Sequence, residues 1–274
     1  MTGPSGARVA EVADTWRALS SGVVGAVVHE VAWPTDLVTA ARHHLVVGVA
    51  TGPTPDEDAI DAWIRPRDAL AVWRDRIEPF RANLVAGRRA PRRRVAELAD
   101  PAPTWPGQAR RVVARLHHAV REFVVRVDHI GSTSVRGLPA KDLIDVQVVV
   151  RDLVAARKAA SRAPECGLVH VAGAWDAPDR TGRRFREEVL VDADPGGPTN
   201  VNLRPMGDPV WRETLLFRDW LRADTRHRDA YLAEKRRLAA ATGHVDEYSA
   251  GKLGWISDAL GRAEAWADSV GWSP

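Results

Sequence analysis

Residues 127–150 decide the fold, and they read VDHIGSTSVRGLPAKDLIDVQVVV. An apolar strand pattern ends at Gly131, and hydroxyl-bearing residues, among them Ser132 and Ser134, follow directly. A second and almost wholly apolar run covers 143–150, which predicts a central strand of a sheet. The turn between them offers free backbone N–H groups and hydroxyls, which suit an anion such as phosphate. An ordinary turn without a ligand is the competing interpretation.

One carboxylate, Asp145, lies inside that apolar strand. Strand alternation places its side chain on the same face as Leu143 and Gln147, and on the face opposite Ile144 and Val146. An ionised carboxylate is costly to bury unless it binds a cation or accepts several hydrogen bonds. The pattern therefore predicts that the Asp145 face opens onto a phosphate-sized cleft beside the Gly-Ser turn.

The rest of the chain alternates between helix and strand patterns, which predicts an α/β fold. The other predicted strands are short and apolar, and they lie at 23–29, 44–49, 124–130, 185–191 and 200–203. The predicted helices share apolar spacing of three to four residues, and they lie at 68–84, 104–123, 153–163, 208–221, 229–241 and 246–270. A basic, proline-rich stretch predicts a linker at 89–106, which separates a segment 1–88 from a domain 107–274.

Composition narrows the class of protein. The chain has 274 residues and is 45% hydrophobic, which is enough for a packed core and excludes disorder over most of its length. A single cysteine, Cys166, excludes a disulfide framework and a cysteine-rich zinc site. No secretory signal or membrane-spanning run is visible, so we expect a cytoplasmic protein without a membrane partner.

The basic residues are unevenly divided, because 35 are arginines and only four are lysines. A GC-rich genome explains the arginines, and so does an anionic partner such as phosphate or nucleic acid. Lys235 and Lys252 each follow a tyrosine, Tyr231 and Tyr248, by four residues, which places each pair on one helix face. Either the two lysines keep their ammoniums in water, or both ammoniums point toward a shared anion.

Three other side chains are weaker candidates for contacting an anion. Arg184 and Arg204 flank the predicted strand pair, where they could hold a phosphate or carboxylate with two hydrogen bonds or be ordinary surface charges. His129 ends a strand beside the Gly-Ser turn, where it could orient a phosphate or serve the structure alone.

The segments HIGSTSV at 129–135, GLPAK at 137–141 and ID at 144–145 resemble the signature of the GrpB family. The resemblance covers about residues 95–274. It implies a nucleotidyltransferase-like mixed sheet with C-terminal helices, here preceded by a small α/β appendage. It also implies that Gly131, Ser132 and Ser134 hold phosphate. The matching lysines, Lys141, Lys235 and Lys252, would then supply the counter-charge.

In nucleotidyltransferases at large, this strand carries two carboxylates that hold a divalent metal against a triphosphate. Asp145 takes the first of these places in this chain, whereas Gln147, a weak and neutral metal ligand, takes the second. The resemblance therefore implies an Mg²⁺ or Mn²⁺ ion at Asp145 that is held weakly. Arg136 is a second departure, because many members of the family have proline at that position.

The segments at 100–106, 141–148 and 265–274 resemble the GrpB-type tail of actinobacterial dephospho-CoA kinases. Residues 72–84 resemble the end of the kinase domain, and 27–31 and 43–47 resemble its later strands. The phosphate-binding loop Gly-x-x-x-x-Gly-Lys-Ser/Thr occurs nowhere in the chain. Since such a kinase needs that loop to hold ATP, we expect no kinase activity.

The expected function is binding of a nucleotide, a CoA-like compound or another phosphorylated small molecule, and tRNA is a weaker candidate. Group transfer would extend that function, with Asp145 and Lys252 as its catalytic residues. The alternative is a non-catalytic regulatory or folding module derived from a fused kinase. Gln147 favours this alternative, whereas the two Tyr-x-x-x-Lys pairs favour a working site.

Overall fold

The computed structural model describes residues 4–23, 27–29, 36–50, 54, 58–92 and 94–274. Its N-terminal part holds two helices, α1 (Pro4–Ser20) and α2 (Leu37–Ala40), and a parallel strand pair, β1 (Val47–Val49) and β2 (Ala62–Ile64). A helical stretch follows, built from α3 (Ala69–Val72), a π-helical turn (Trp73–Ile77) and α4 (Glu78–Val85). Of the predicted strand at 23–29, residues 24–26 lie outside the described residues, as do 30–31 of the segment that resembles a kinase strand.

A mixed sheet of six strands forms the centre of the molecule. The strands are β3 (Val124–Ile130), β4 (Ile144–Val150), β5 (Leu168–His170), β6 (Trp175–Pro178), β7 (Arg184–Asp192) and β8 (Thr199–Pro205). Their order is β3-β4-β8-β7-β5, and β6 pairs with β7 beside this path. The β4–β8 pair is parallel, and the other pairs are antiparallel.

Helices cover both faces of this sheet. One face packs against α5 (Trp105–Val120) and α6 (Leu153–Ser161). The other faces α7 (Val210–Ala223), which packs together with α8 (Thr225–Ala241) and α9 (Val245–Val270). Within the described ranges, no helix is both long enough and apolar enough to cross a membrane.

Alternation along β4 explains why the two faces differ in chemistry. Ile144, Val146 and Val148 are buried in the apolar core beneath α5 and α6. Asp145 and Gln147 point to the other face, because successive strand residues alternate sides. A polar face of the sheet is thereby directed at the C-terminal helices, and the predicted alternation along the strand is confirmed.

The predicted strands and helices from residue 105 onward are confirmed, with shifts of a few residues at their ends. The sequence analysis missed α1 and the short strands β5 and β6. The helix predicted at 68–84 is present, but a π-helical turn interrupts it.

The stretch at 89–106 runs along the sheet. The Ala90 N–H donates to the Asp192 carbonyl at 2.9 Å, and Ala99 forms a β-bridge with Ala140. Upstream of it, Phe80 of α4 packs on the buried valines of β5 and β7. The N-terminal elements therefore contact the large sheet directly, while the domain limits at 88 and 107 stay a prediction.

Candidate functional site

The turn after β3 depends on Gly131. Its φ is +68°, and an added Cβ would lie 2.4 Å from Asp145 Oδ2, so only glycine fits here. The Ser134 hydroxyl donates to the Gly131 carbonyl at 2.6 Å, and Arg222 donates to the Ser134 carbonyl. Ser134 is thereby committed to shaping the turn, whereas the half-buried Ser132 interacts with the Tyr231 hydroxyl.

Asp145 lies directly beneath this turn. It is half-buried on β4, opposite Asn200 of the parallel neighbour β8, whose side chain hydrogen-bonds to the carboxylate. Burial raises the pKa of Asp145, while the charges of Lys252 and Lys141 act in the opposite direction. Burial is the stronger of these opposing effects, so the pKa of Asp145 stays above its ordinary value.

Three of the chain's four lysines, Lys141, Lys235 and Lys252, lie near one another, and we call them the lysine cluster. The charge of Lys252 acts on both of the others, and the charges of Lys252 and Lys141 act on Asp145. Lys235 of α8 is only 1% exposed and donates a hydrogen bond to the Pro139 carbonyl. Lys141 precedes β4 and reaches the Ser249 hydroxyl of α9 at 3.5 Å, and Lys252 comes from α9 as well. The Lys235 ammonium is therefore buried rather than turned to solvent.

The two tyrosines line the lysine cluster. Lys235 Nζ lies 5.2 Å from the Tyr231 ring centroid. Lys252 Nζ and Lys141 Nζ lie 4.8 Å and 5.4 Å from the centroid of Tyr248. Aromatic faces at these distances attract ammonium groups, and burial raises the pKa of both phenols, which stay neutral. The neutral tyrosine rings thus attract the ammonium groups without cancelling their charge.

The lysine cluster is electrostatically strained. Burial, together with repulsion from Lys252, lowers the pKa of Lys235 to about 7 and that of Lys141 to about 8. Burial also lowers the pKa of Lys252, which the charge of Asp145 partly offsets. In the described structure, none of the three ammoniums lies within salt-bridge distance of Asp145. A bound anion would relieve this repulsion.

Gln147 and Arg204 lie deeper on the same sheet face, where they stabilise each other. Gln147 is fully buried, its Oε1 accepts from Arg204 Nη1 at 3.0 Å, and its Nε2 donates to the Trp211 carbonyl at 3.2 Å. Arg204 also pairs with Glu187 at 2.8 Å. Gln147 and Arg204 are thus engaged with each other and with neighbouring protein groups, and their predicted ligand-binding roles stay predictions.

Two other candidates lie away from the lysine cluster. His129 pairs in register with Val146, so its ring is on the sheet face opposite Asp145. It contacts the Thr133 hydroxyl at 3.0 Å, and burial lowers its pKa to about 4. Arg184 is exposed at the start of β7, 3.5 Å from the carboxylate of Asp176. His129 therefore contacts the turn through Thr133, on the sheet face opposite Asp145, whereas Arg184 lies beside Asp176.

Sequence reasoning missed two neighbours of Asp145, namely Asn200 and Arg92. Arg92 lies in the stretch interpreted as a solvated linker, yet it forms an ion pair with Asp192 and donates to the Thr199 carbonyl. Its Nε is buried without a hydrogen-bond partner among the described residues, and its charge acts on Asp145. Nothing in the sequence distinguishes Arg92 from the other arginines of this stretch, so its position near Asp145 could not be predicted.

The expected metal site finds few donors. Among the described residues, no three His, Cys, Asp or Glu side chains gather in a way that could hold a metal ion. Asp145 is the expected first ligand, but the oxygen of Gln147 already accepts a hydrogen bond from a guanidinium. The groups that act most strongly on Asp145 are two ammoniums, one guanidinium and the amide of Asn200. This donor set does not fit Mg²⁺ or Mn²⁺, which favour several oxygen ligands.

Comparisons with known proteins give a consistent result. The family described as GrpB protein matches residues 95–262. A dephospho-CoA kinase of Mycolicibacterium paratuberculosis is 41% identical over 224 residues, which cover 75% of this chain and 54% of the relative. The dephospho-CoA kinase of Mycobacterium tuberculosis H37Rv is 40% identical over 230 residues, with 76% and 55% covered. The chain thus spans about half the length of these relatives.

Two further relatives are shorter than the kinases. A UPF0157 protein of Deinococcus radiodurans is 32% identical over 187 residues, which cover 65% of this chain and 88% of that protein. The crystal structure of the conserved protein GrpB from Enterococcus faecalis matches with a TM-score of 0.51 at 22% identity, covering 62% of this chain and 99% of that one. At this identity the match concerns the fold alone. The expected nucleotidyltransferase-like mixed sheet with C-terminal helices is confirmed.

Proposed function

The chain belongs to the GrpB protein family, and we propose that it binds the phosphate group of a small phosphorylated ligand at the lysine cluster. The ligand class is a nucleotide or a CoA-like compound. Ser132 and the backbone of the Gly131 turn would contact the phosphate, and Lys141 and Lys252 would balance its charge. Asp145 and Lys252 remain the predicted catalytic residues for any group transfer.

A single observation carries the proposal: the ammoniums of Lys252 and Lys141 act on the carboxylate of Asp145, and a third ammonium, that of the buried Lys235, lies near Lys252. Burying like charges together costs free energy that the folded protein must supply from elsewhere. Proteins retain such arrangements mainly at functional sites, where a ligand of opposite charge compensates them. The chain has four lysines among 39 basic residues, so composition does not explain why three of them lie in one cluster.

The CoA-like ligand class is supported by the relatives named dephospho-CoA kinase. CoA and its precursor carry several phosphate groups, which the lysine cluster would recognise by charge-assisted hydrogen bonds. Because the phosphate-binding loop of such kinases is missing from the sequence, the proposal is for recognition of a phosphate and not for phosphorylation.

Isothermal titration calorimetry tests the proposal with AMP, ATP, dephospho-CoA and CoA in turn. For the ligand that binds, we expect Lys252→Met to weaken binding by about tenfold or more, which corresponds to about 1.4 kcal/mol. Lys158→Met is the matched control, because Lys158 is exposed on α6 and outside the lysine cluster. Equal affinity of the Lys252 variant and the wild type would contradict the proposed location.

The alternative is a non-catalytic regulatory or folding module derived from a fused kinase. Gln147 favours it, because transferases of this fold have a second carboxylate at this position. In this chain the position holds a neutral amide, which is hydrogen-bonded to Arg204 and to the Trp211 carbonyl. This alternative predicts that none of the four compounds binds the wild type. A tRNA titration belongs in the same series, since binding of tRNA alone would favour a nucleic-acid partner instead.

A further inference from the structure

Positive side chains occupy the surroundings of Asp145 where a metal-dependent site would need oxygen donors. The charges of Lys252, Lys141 and Arg92 all act on this carboxylate, in that order of strength. A divalent cation beside Asp145 would have to approach these fixed positive charges. At distances of several ångströms in a partly buried site, such repulsion amounts to kilocalories per mole.

The position that would supply the second metal ligand is closed. Gln147 is 0% exposed, and both ends of its amide are used, one by Arg204 and one by the Trp211 carbonyl. Releasing its oxygen for a metal would leave the Arg204 guanidinium with one hydrogen bond fewer in a buried place, which is costly. The metal could therefore rely on Asp145 and the neutral amide of Asn200 alone.

Lys252 and Lys141 place positive charge beside Asp145, where related folds use a metal. Lys141 precedes β4 and Lys252 lies on α9, and the ring of Tyr248 lies against both ammoniums. Neither ammonium is neutralised by a direct salt bridge to Asp145 in the described residues. Each therefore keeps N–H donors for an incoming phosphate oxygen.

Building on the proposed phosphate site, we propose that the ammoniums of Lys141 and Lys252 replace the divalent cation, so that the protein takes its phosphate ester as the free anion. The ligand class is then a phosphate or diphosphate group without bound Mg²⁺, not a magnesium–triphosphate complex. Magnesium would compete with the lysine cluster for the ligand. Adding it should therefore weaken binding, whereas a metal-dependent site of this fold would bind more tightly with magnesium.

Titration of the full chain with inorganic pyrophosphate tests this, first in EDTA and then in excess MgCl₂ at equal ionic strength. Because Mg²⁺ complexes pyrophosphate strongly, we expect binding in EDTA and an affinity about tenfold lower with magnesium, by mass action. Inorganic phosphate, which complexes Mg²⁺ weakly, serves as the control and should change by less than about twofold.

Different results would overturn the phosphate site and the replacement of the metal. Tighter pyrophosphate binding with magnesium would overturn the replacement of the metal and leave the phosphate site standing. Absence of binding in both buffers would overturn the phosphate site itself and the inference with it. Asp145→Asn gives an independent test when it is titrated both in EDTA and in MgCl₂. We expect it to bind pyrophosphate at least as tightly as the wild type in both buffers, because a negative charge is removed. Weaker binding than the wild type in MgCl₂ alone would identify Asp145 as a metal ligand and overturn the inference.

Discussion

Replacing Lys235 by methionine should stabilise the protein at mildly acidic pH. Lys235 is buried and donates a hydrogen bond to the Pro139 carbonyl, and burial lowers its pKa from 10.5 to about 7. One pKa unit corresponds to about 1.4 kcal/mol, so the charged side chain costs the folded state about 4–5 kcal/mol below pH 7. Leaving the Pro139 carbonyl without its donor costs about 1–3 kcal/mol. The expected net gain is about 1–4 kcal/mol.

The pH dependence identifies the cause of this gain. Between the folded pKa, about 7, and the unfolded value of 10.5, the unfolded chain holds a proton that the folded Lys235 has lost. The contribution of Lys235 to wild-type stability therefore rises with pH across this window. The methionine variant lacks this rise, so its advantage should be largest near pH 6 and close to zero at about pH 9.5.

Urea denaturation of both proteins at the two pH values measures the difference. Lys158→Met is the matched control, and we expect it to lie within about 0.5 kcal/mol of the wild type at both, because that side chain is exposed. A variant that is destabilised near pH 6, or whose advantage does not change with pH, would refute the claim that Lys235 is a strained, buried ammonium.

Three further predictions concern other parts of the chain. Gly131→Ala should lower stability in thermal unfolding by about 2–4 kcal/mol, because φ is +68° and the new Cβ would meet Asp145, whereas Gly207→Ala, with nothing within 4 Å, should change it by less than about 1 kcal/mol. Asp61→Ala should cost about 3–5 kcal/mol in urea denaturation at neutral pH, because it leaves the buried Arg115 guanidinium without its carboxylate. Burial acts to raise the pKa of Asp61, but its arginine neighbours lower it below the ordinary value. The stabilisation that Asp61 provides is therefore complete above pH 3.8 and is lost in stronger acid. Stabilisation by Asp61 that persists in strong acid would contradict the pairing. Finally, ATP and dephospho-CoA should yield no CoA above a no-protein control, and detectable formation would disprove the lack of kinase activity.

The central part of the fold could be predicted because its signals are local. The apolar run of β4, the glycine before it and the single carboxylate within it are all visible in 24 consecutive residues. Alternation then placed Asp145 and Gln147 on the face opposite the core, as the structure has them. The strands β5 and β6 were missed because three or four residues show no period.

The surroundings of Asp145 could be predicted only in part, because they depend on long-range pairing. Asn200 lies beside Asp145 through the parallel β4–β8 register, which no local pattern specifies. His129 faces away because the antiparallel register with β4 aligns it with Val146. Arg92 reaches the site from a stretch whose composition is typical of a linker. The lysine pairs could be found, since the spacing of four residues to each tyrosine is local.

The most direct test of the account observes the lysines themselves. Because the chain has four lysines, ¹³C-labelling of their side chains gives four resolvable sets of NMR signals whose shifts report protonation and contact. In EDTA, we expect Lys235 and Lys141 to titrate near pH 7 and 8, and the signals of Lys141 and Lys252 to shift when pyrophosphate is added, while Lys158 does not respond. Four lysines with ordinary pKa values and no response to pyrophosphate, or a response that requires magnesium, would contradict the claim that the lysine cluster binds phosphate as a free anion.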